Sequence, residues 1–247
     1  MASYPINGGL PKPSIDQILA HVADHRSVSV SAVAELPTRF GDFQIVAFHA
    51  PAEAREHAAL VHGDISGRED VPVRLHSECL TGDTFMSLRC DCREQLEAAM
   101  GMVHARPYGA ILYLRQEGRG IGLENKIRAY QLQEAGYDTN EANVQLGFRA
   151  DERDYAIAAD MLRAMDVRSI RLISNNPDKL EDLQRHGVKV SGRIPIEIPP
   201  NRYNAFYLET KRENGHLIGG AGTDSEQIDC VHRTTNSRPP LAAVDAA

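Results

Sequence analysis

The sequence predicts a mixed α/β (α+β) fold, in which a mostly antiparallel N-terminal sheet is joined to a helix-rich C-terminal half. Segments with period-2 alternation dominate the first third, which is typical of half-buried strands. The middle of the chain changes to the i, i+3, i+4, i+7 spacing of a helix face, as at Leu96, Ala99, Met100 and Val103. A strand–helix–strand run between residues 170 and 190 predicts a βαβ unit.

The N-terminal third is predicted to be sheet preceded by an arm. Residues 1–13 hold three prolines and two adjacent glycines, which indicates a flexible arm, and Ser14 is a suitable cap for a short helix over 15–23. The predicted strands are 28–32, 43–48, 58–61 and 71–75. The first two strands are predicted to form a hairpin across the turn residues 37–42.

The remaining two thirds are predicted to mix helices and strands. The predicted helices lie near 96–103 and over 123–135, 154–165 and 178–186, and the predicted strands are 109–114, 170–173 and 188–190. Glycines at 136 and 187 end two of these helices. Periodicity is lost after Gly219. We therefore expect an extension over 1–35, a folded domain over 36–218 and a disordered tail over 219–247.

The composition limits the classes of partner. Among 247 residues, 27 are Lys or Arg and 34 are Asp or Glu, so the formal net charge is −7. Such an acidic chain is not expected to coat nucleic acid, because phosphate contacts need clustered basic side chains. No window approaches the roughly 18 apolar residues that span a bilayer, and residues 1–13 lack the apolar region of a secretory signal. We expect a cytoplasmic protein without nucleic-acid or membrane partners.

Three of the four cysteines lie close together in the sequence and form the pattern C-x10-C-x-C at Cys79, Cys90 and Cys92. If the segment is extended, Cys90 and Cys92 point to the same face. A loop with Gly82 and Asp83 as its turn would bring Cys79 back beside them.

Three thiolates make an incomplete tetrahedral shell for zinc, and a site of this kind keeps its fourth position for a catalytic water. Two alternatives remain open. The cysteines could be buried and inert, as free cysteines often are, or His76 could supply a fourth ligand and make the site structural.

Residues 115–122 follow the predicted strand 109–114 and read R-Q-E-G-R-G-I-G. The glycines allow the backbone to approach a ligand closely, and Arg119 offers planar, bidentate donors for guanine or phosphate. The segment matches neither the P-loop nor the dinucleotide fingerprint. An ordinary strand-to-helix turn is the alternative.

Two polar segments precede predicted helices. Asp151 is a suitable N-cap, but capping does not explain Arg153, because a positive charge is disfavoured at a helix N-terminus. Ser174 and Lys179 bound a segment that predicts an anion cradle at a strand end, and an Asx turn is the alternative. Tyr130 lies within a predicted helix, where a tyrosine is more often a core residue than a catalytic one.

Taken together, ordered blocks between residues 37 and 218 resemble GTP cyclohydrolase II. The blocks are residues 74–83, 87–92, 115–119, 125–130, 150–154, 175–177, 207–211 and 215–217. The resemblance implies a GTP cyclohydrolase II-like fold with 36–218 as the catalytic domain. It also implies a homodimeric enzyme at the first step of riboflavin biosynthesis.

The implied reaction uses GTP, water, zinc and magnesium. It releases formate and pyrophosphate and yields 2,5-diamino-6-ribosylamino-4(3H)-pyrimidinone 5′-phosphate. By matching motif, Cys79, Cys90 and Cys92 would hold zinc, and a water activated by the metal would attack C8 of guanine.

The resemblance also assigns roles to other side chains. Tyr130 would orient the attacked ring or the water, Asp151 would accept a proton, and Arg153 would act at the α-phosphorus while pyrophosphate leaves. The residues implied to bind GTP are Arg74, Leu75, His76, Ser77, Glu78, Gln95, Glu117, Gly118, Arg119, Thr139, Ser174 and Lys179. A guanidinium stays protonated and is a poor nucleophile, so an electrostatic role for Arg153 is favoured over a covalent one.

Two positions depart from the family pattern: Arg93 stands where a glycine is common, and Ser174 where threonine is more frequent. Three other functions remain open. One is a related cyclohydrolase that stops at the formylated product, and another is a regulator that binds GTP without turnover. The third is a zinc deaminase, because the spacing of His76 and Glu78 matches H-x-E, although the P-C-x-x-C part of that signature is missing.

Overall fold

The computed structural model describes residues 28–51, 55–199 and 203–204. Within them, seven strands form one mixed sheet in the order β1-β2-β3-β5-β4-β6-β7. The strands are β1 (Ser29–Thr38), β2 (Gly41–His49), β3 (Ala58–His62), β4 (Val71–Ser77), β5 (Gly109–Leu114), β6 (Ile170–Ile173) and β7 (Val190–Ile194). The helices are α1 (Leu80–Asp83), α2 (Cys92–His104), α3 (Gly122–Glu134), α4 (Thr139–Gln145), α5 (Ala156–Ala164) and α6 (Pro177–Arg185), with a 3₁₀ turn over Glu117–Gly120.

The N-terminal half of the sheet is antiparallel. β1 and β2 form the predicted hairpin, in which Thr38 pairs with Gly41 across a tight turn. β3 then pairs antiparallel with both β2 and β5. The strands and the hairpin predicted for this antiparallel part of the sheet are therefore confirmed.

The C-terminal half of the sheet is parallel. β4 pairs in parallel with β5 and β6, and β6 pairs in parallel with β7. The predicted βαβ unit is confirmed as β6-α6-β7. Parallel strands end at the same edge of a sheet, and ligands in α/β folds bind at that edge. The segments that follow β4, β5 and β6 are therefore brought together.

Helices cover both faces of the sheet. Leu112 and Leu172 belong to a core shared with Ala158 and Met161 of α5. Ile111, one residue along β5, belongs to a second core with Val103 of α2. The side chains of β5 thus alternate between two buried layers, which explains why the strand reads as a continuous apolar run.

Several elements differ from the sequence prediction. β1 extends to Thr38, past the predicted end at residue 32, because it pairs with β2 along this length. α2 begins at Cys92 rather than near 96, and the helical turn α1 was not predicted. β7 begins at Val190, where the predicted strand ended, because pairing with Ile170 of β6 sets its register. α5 begins at Ala156 rather than at 154. α4 was not predicted, although Asp138 and Glu141 form a capping box at its start.

The predicted arm over 1–13, the short helix over 15–23 and the tail over 219–247 lie outside the described residues. Among the helices that are described, none has the length and apolar character needed to cross a bilayer.

The buried core can be tested at Leu172, which is fully buried in β6. We expect Leu172→Ala to lower the free energy of unfolding by about 2–5 kcal/mol, because the substitution removes buried methylene groups and leaves a cavity. Chemical denaturation followed by circular dichroism measures this loss. Leu123→Ala is the matched control, since Leu123 is 40% exposed and its loss should stay within about 0.5 kcal/mol. Equal losses in the two variants would contradict the described core.

Candidate functional site

A cavity of about 400 Å³ lies at the edge where β4 and β5 end. Of the residues singled out from the sequence, those that line it are Ser77, Glu78, Cys79, Cys90, Cys92, Glu117, Gly118, Arg119, Tyr130, Thr139 and Arg153. Four segments supply them: the cysteine region, the 3₁₀ turn, α3 with the start of α4, and the residues before α5. Motifs that are distant in sequence thus share one pocket.

The three cysteines lie together at one wall of this cavity. Their sulfur atoms all lie within 4.8 Å of one another, and the Sγ atoms of Cys79 and Cys90 are 3.7 Å apart. Two sulfurs bound to one tetrahedral zinc at about 2.3 Å would be separated by about 3.8 Å. The cluster can therefore hold a metal ion of this size without rearrangement of that pair.

The local conformation of the cysteine segment differs from the prediction. Cys92 is the first residue of α2, so Cys90 and Cys92 do not lie on an extended segment. The expected loop with its turn at 82–83 is instead the single helical turn α1, which begins directly after Cys79. The sulfurs converge because two helix starts face each other.

Gly82 shows how closely α1 approaches the sulfurs. A Cβ atom built at Gly82 would lie 2.8 Å from the Sγ of Cys90 and 3.1 Å from the Sγ of Cys79. Any larger residue would push into the cluster, so this position requires glycine because of close approach. The glycine therefore leaves the space beside the sulfurs open.

The thiols of the cluster shift one another's acidity. Contact with Cys79 raises the pKa of Cys90 to about 11 and also raises the pKa of Cys92. Hydrogen bonds from Cys90 and Cys92 lower the pKa of Cys79. Thiolates this close together repel one another, so a bound cation would favour the deprotonation of all three.

Asp83 organises the other side of the cluster. Its carboxylate accepts hydrogen bonds from the backbone amide of Cys79 at 3.0 Å and from the Tyr113 hydroxyl at 2.8 Å. The same carboxylate lies 3.0 Å from Nε2 of His76, and burial lowers the pKa of that imidazole. Among the described residues, the potential ligand group at this cavity consists of the three cysteines and does not include His76.

Lys126 is a residue of this site to which the sequence analysis gave no role. Its ammonium is buried and donates to the Sγ of Cys79 at 3.1 Å and to Oε1 of Glu117 at 2.7 Å. Burial opposes the charge, but the negative charge of Cys79 and Glu117 outweighs burial and raises the pKa of Lys126. A cationic side chain thus touches the cluster directly.

One face of α3 lines the cavity. Lys126, Tyr130 and Gln133 follow the i, i+4, i+7 spacing and all face the pocket. This spacing, counted from Tyr130, was the signal that could have revealed Lys126. The hydroxyl of Tyr130 is 3.1 Å from the hydroxyl of Thr81, which lies 3.7 Å from the Sγ of Cys79. Tyr130 is therefore a residue of the pocket wall beside the cysteines.

The 3₁₀ turn after β5 has an unusual backbone. Gly118 and Arg119 adopt positive φ angles of 63° and 58°, a conformation that costs a non-glycine residue about 1–3 kcal/mol. Arg119 is held there because its Nη1 donates to Oδ1 of Asn140 at 2.6 Å and to the carbonyl of Ala150 at 3.2 Å. The guanidinium is thereby fixed at the cavity wall.

Arg153 lines the cavity, whereas Asp151 does not line it and forms a two-point ion pair with the guanidinium. Burial raises the pKa of Asp151, but the hydrogen bonds from Arg153 outweigh burial and lower it overall. The interpretation of Asp151 as a helix cap is wrong. α5 begins at Ala156, whose backbone amide donates to Asp154.

The other residues singled out from the sequence do not line the cavity. Leu75 is a core residue whose carbonyl accepts a hydrogen bond from Lys179 at 2.8 Å. Arg74 is buried and donates to the carbonyl of Ile173 at 3.0 Å and to Gln95. These cations connect strand ends beneath the pocket.

The segment 174–179 has the geometry of a turn and a helix cap. The hydroxyl of Ser174 accepts a hydrogen bond from the backbone amide of Asn176 at 3.0 Å. Asn176 is the N-cap of α6, and its side chain accepts from the amide of Asp178 at 2.9 Å. Arg93, the departure beside the last cysteine, donates to the carbonyl of Asp83 and pairs with Glu97, so it does not enter the cavity.

The sequence of this chain is similar to those of proteins of one known family. The family model described as GTP cyclohydrolase II matches residues 29–195. A GTP cyclohydrolase-2 of Picrophilus torridus is 56% identical over 186 residues, which cover 75% of this chain and 96% of that protein. A GTP cyclohydrolase-2 of Klebsiella pneumoniae is 53% identical over 194 residues, covering 78% and 97%. One from Escherichia coli is 54% identical over 188 residues, covering 76% and 96%.

The cysteine cluster can be tested as a metal site with Cys90→Ser. We expect this variant to lose bound zinc, because a neutral hydroxyl replaces one of the three thiolates on which the affinity for zinc depends. Zinc per chain after loading and desalting, measured by mass spectrometry, gives the result. Cys230→Ser is the matched control, since the fourth cysteine is far from the cluster in sequence, and it should retain zinc. Undiminished zinc in Cys90→Ser would contradict the site.

Proposed function

The chain belongs to the GTP cyclohydrolase II family, and from this premise we propose that it opens the imidazole ring of GTP at C8 by hydrolysis. The proposed products are formate, pyrophosphate and 2,5-diamino-6-ribosylamino-4(3H)-pyrimidinone 5′-phosphate, at the first step of riboflavin biosynthesis. The observation that carries the proposal is the three-cysteine cluster, whose members all line the cavity that also holds Tyr130, Arg119 and Arg153.

Zinc is the proposed metal of this cluster, held by Cys79, Cys90 and Cys92. Their spacing and the glycine at 82 fit a small tetrahedral ion with soft ligands. When bound, zinc supplies Lewis acidity that makes a water molecule nucleophilic at neutral pH. The remaining steps depend on how the side chains of the chain hold and orient the substrate.

Tyr130 is proposed to orient the reacting ring. Its phenol reaches Thr81 beside the cysteines, and the guanidinium of Arg89 lies 4.8 Å from the centre of its ring. Burial raises the pKa of Tyr130, so the hydroxyl stays protonated and can donate a hydrogen bond. A neutral hydrogen-bond donor held beside the cysteine cluster is suited to positioning the edge of a purine ring.

Asp151 and Arg153 are proposed to act as a coupled pair at the α-phosphate. Arg153 faces the cavity and pairs with Asp151, and a guanidinium stays protonated in proteins. This supports electrostatic stabilisation at phosphorus rather than covalent attack. A phosphate that draws Arg153 away from Asp151 would leave the carboxylate free to accept a proton.

Magnesium is proposed to accompany the triphosphate. The cavity is lined by four cationic side chains, Arg89, Arg119, Lys126 and Arg153, and by three carboxylates, Glu78, Glu117 and Glu134. Two of the cations are already paired within the lining, Lys126 with Glu117 and Arg89 with Glu134. Because little net positive charge remains for a triphosphate, a divalent cation is expected to complete the compensation.

Arg74 and Lys179 are buried and do not line the cavity. We propose that they act on GTP indirectly, through the strand ends to which they donate hydrogen bonds. A homodimer remains part of the proposal on the strength of the family resemblance. Sedimentation analysis of the full chain would show its oligomeric state.

The reaction is tested by incubating the zinc-loaded full chain with GTP and magnesium and assaying formate and pyrophosphate together. We expect both products to form in equal amounts. Ring opening without formate would instead indicate the related cyclohydrolase that stops at the formylated product. Tight GTP binding without formation of either product would indicate a regulator and would contradict the proposed activity.

The role of Tyr130 is tested with Tyr130→Phe. We expect kcat to fall by about 10²-fold or more, the scale for removal of a hydrogen-bond donor that is positioned for the transition state. The dissociation constant for GTP should change by less than about tenfold, since one neutral hydrogen bond contributes about 0.5–1.5 kcal/mol. Tyr108→Phe is the matched control, because Tyr108 packs against Arg68 and not at the cavity. A loss of affinity without a loss of kcat would contradict the proposed role.

A further inference from the structure

Lys126 is a buried cation in contact with a cysteine of the cluster. Only 8% of its surface is exposed, and its Nζ lies 3.1 Å from the Sγ of Cys79. Lysine is almost never buried to this degree unless its charge is compensated. Its position therefore calls for an explanation beyond the filling of the pocket wall.

We propose that Lys126 is a positioning residue for the metal centre, in which its ammonium donates to the Cys79 thiolate and limits the electron density that this sulfur gives to the metal. The inference rests on the proposed three-cysteine zinc site. It assigns to Lys126 an action through Cys79 and not a contact with the reacting atoms of GTP.

Glu117 fixes the ammonium in this position. Oε1 of Glu117 accepts from Lys126 at 2.7 Å and from the amide of Gly118 at 2.9 Å, and Oε2 accepts from the amide of Leu80 at 2.6 Å. The charge of the carboxylate is thus shared among three donors. An ammonium has three N–H groups, so Lys126 can serve Glu117 and Cys79 simultaneously.

The charge of the metal-loaded cluster explains why a cation beside Cys79 would be favourable. A divalent metal with three thiolates carries a net charge of −1, and such an excess is costly where the environment is buried. A hydrogen bond to one thiolate lowers its donation to the metal, which leaves the metal a stronger Lewis acid. Partners behind the ligands tune metal sites in this way, and their removal typically costs about 10–100-fold in affinity or activity.

Cobalt(II) is the probe, because its thiolate-to-metal charge-transfer bands report the electron density on the sulfurs. The full chain, Lys126→Met and Lys126→Arg would each be loaded with cobalt in the absence of GTP. In Lys126→Met we expect one cobalt per chain, as in the unsubstituted protein, with bands moved to longer wavelength. Lys126→Arg retains a cationic donor and should bring the bands back toward their original position.

Steady-state kinetics of the zinc forms provide the second readout. We expect kcat of Lys126→Met to fall by about 10–100-fold, while the KM for GTP stays near its original value, because the lost interaction acts on the metal and not on ground-state binding. Lys126→Arg should recover part of kcat. Lys189→Met is the matched control, since Lys189 is an exposed surface residue paired with Glu69, and it should change neither readout.

The variant Glu117→Gln distinguishes a role of Lys126 at the metal from a purely structural ion pair between Lys126 and Glu117. Glu117→Gln keeps an acceptor for Leu80 and leaves the contact between Lys126 and Cys79 in place, so its cobalt bands should not move to longer wavelength. If Lys126→Met alone fails to fold because Glu117 is left unpaired, the double variant Lys126→Met/Glu117→Gln removes both charges and should show the same band shift.

The outcomes distinguish this inference from the proposed function. Unmoved cobalt bands in Lys126→Met or in the double variant would overturn the role of Lys126 and leave the zinc site standing. A band shift of equal size in Glu117→Gln would also overturn it, because the pair would then matter only as a unit. Failure of the unsubstituted chain to bind cobalt would overturn the metal site itself.

Discussion

The site depends on the convergence of three cysteine sulfurs in a nearly closed corner of the protein. Sulfurs within 4.8 Å of one another cannot all be thiolates without compensation, which is why contact with Cys79 raises the pKa of Cys90. Neighbouring residues reduce this repulsion or leave room for a cation that would do so. Gly82 leaves room beside the sulfurs, and Lys126 brings a positive charge to Cys79. A bound cation would complete the compensation.

The sheet topology supplies the rigid frame for this corner. β4 and β5 run parallel, so the segments that follow them begin at one edge and deliver the cysteines and the 3₁₀ turn to the same place. Buried cationic side chains stabilise this edge by donating hydrogen bonds to backbone carbonyls at the strand ends. Arg74 of β4 donates to the carbonyl of Ile173 at the end of β6, and Lys179 of α6 donates to the carbonyl of Leu75. Preorganised site residues need support of this kind from neighbouring buried groups.

The sequence predicted the fold best where burial alone determines structure. β5 and β6 were predicted with their observed bounds, because each is an apolar run buried in the middle of the sheet. Prediction failed where pairing or capping decides. β7 follows the register of β6, and α5 begins at Ala156 with Tyr155 as its N-cap residue, not at Asp151. α4 carried a readable capping box, but its few apolar residues hid the helix.

For the site, the sequence could name the chemistry but not its geometry. Clustered cysteines and a resemblance to a family indicated a metal and a pocket, and the pocket indeed contains all three cysteines. The contact of Asp83 with Cys79 is local, but the contact of Lys126 with Cys79 joins residues that are distant in sequence and depends on where α3 lies beside the cysteines. The positive φ of Arg119 likewise depends on acceptors at Asn140 and Ala150. Residues that act through other residues are therefore visible only once the fold has placed them side by side.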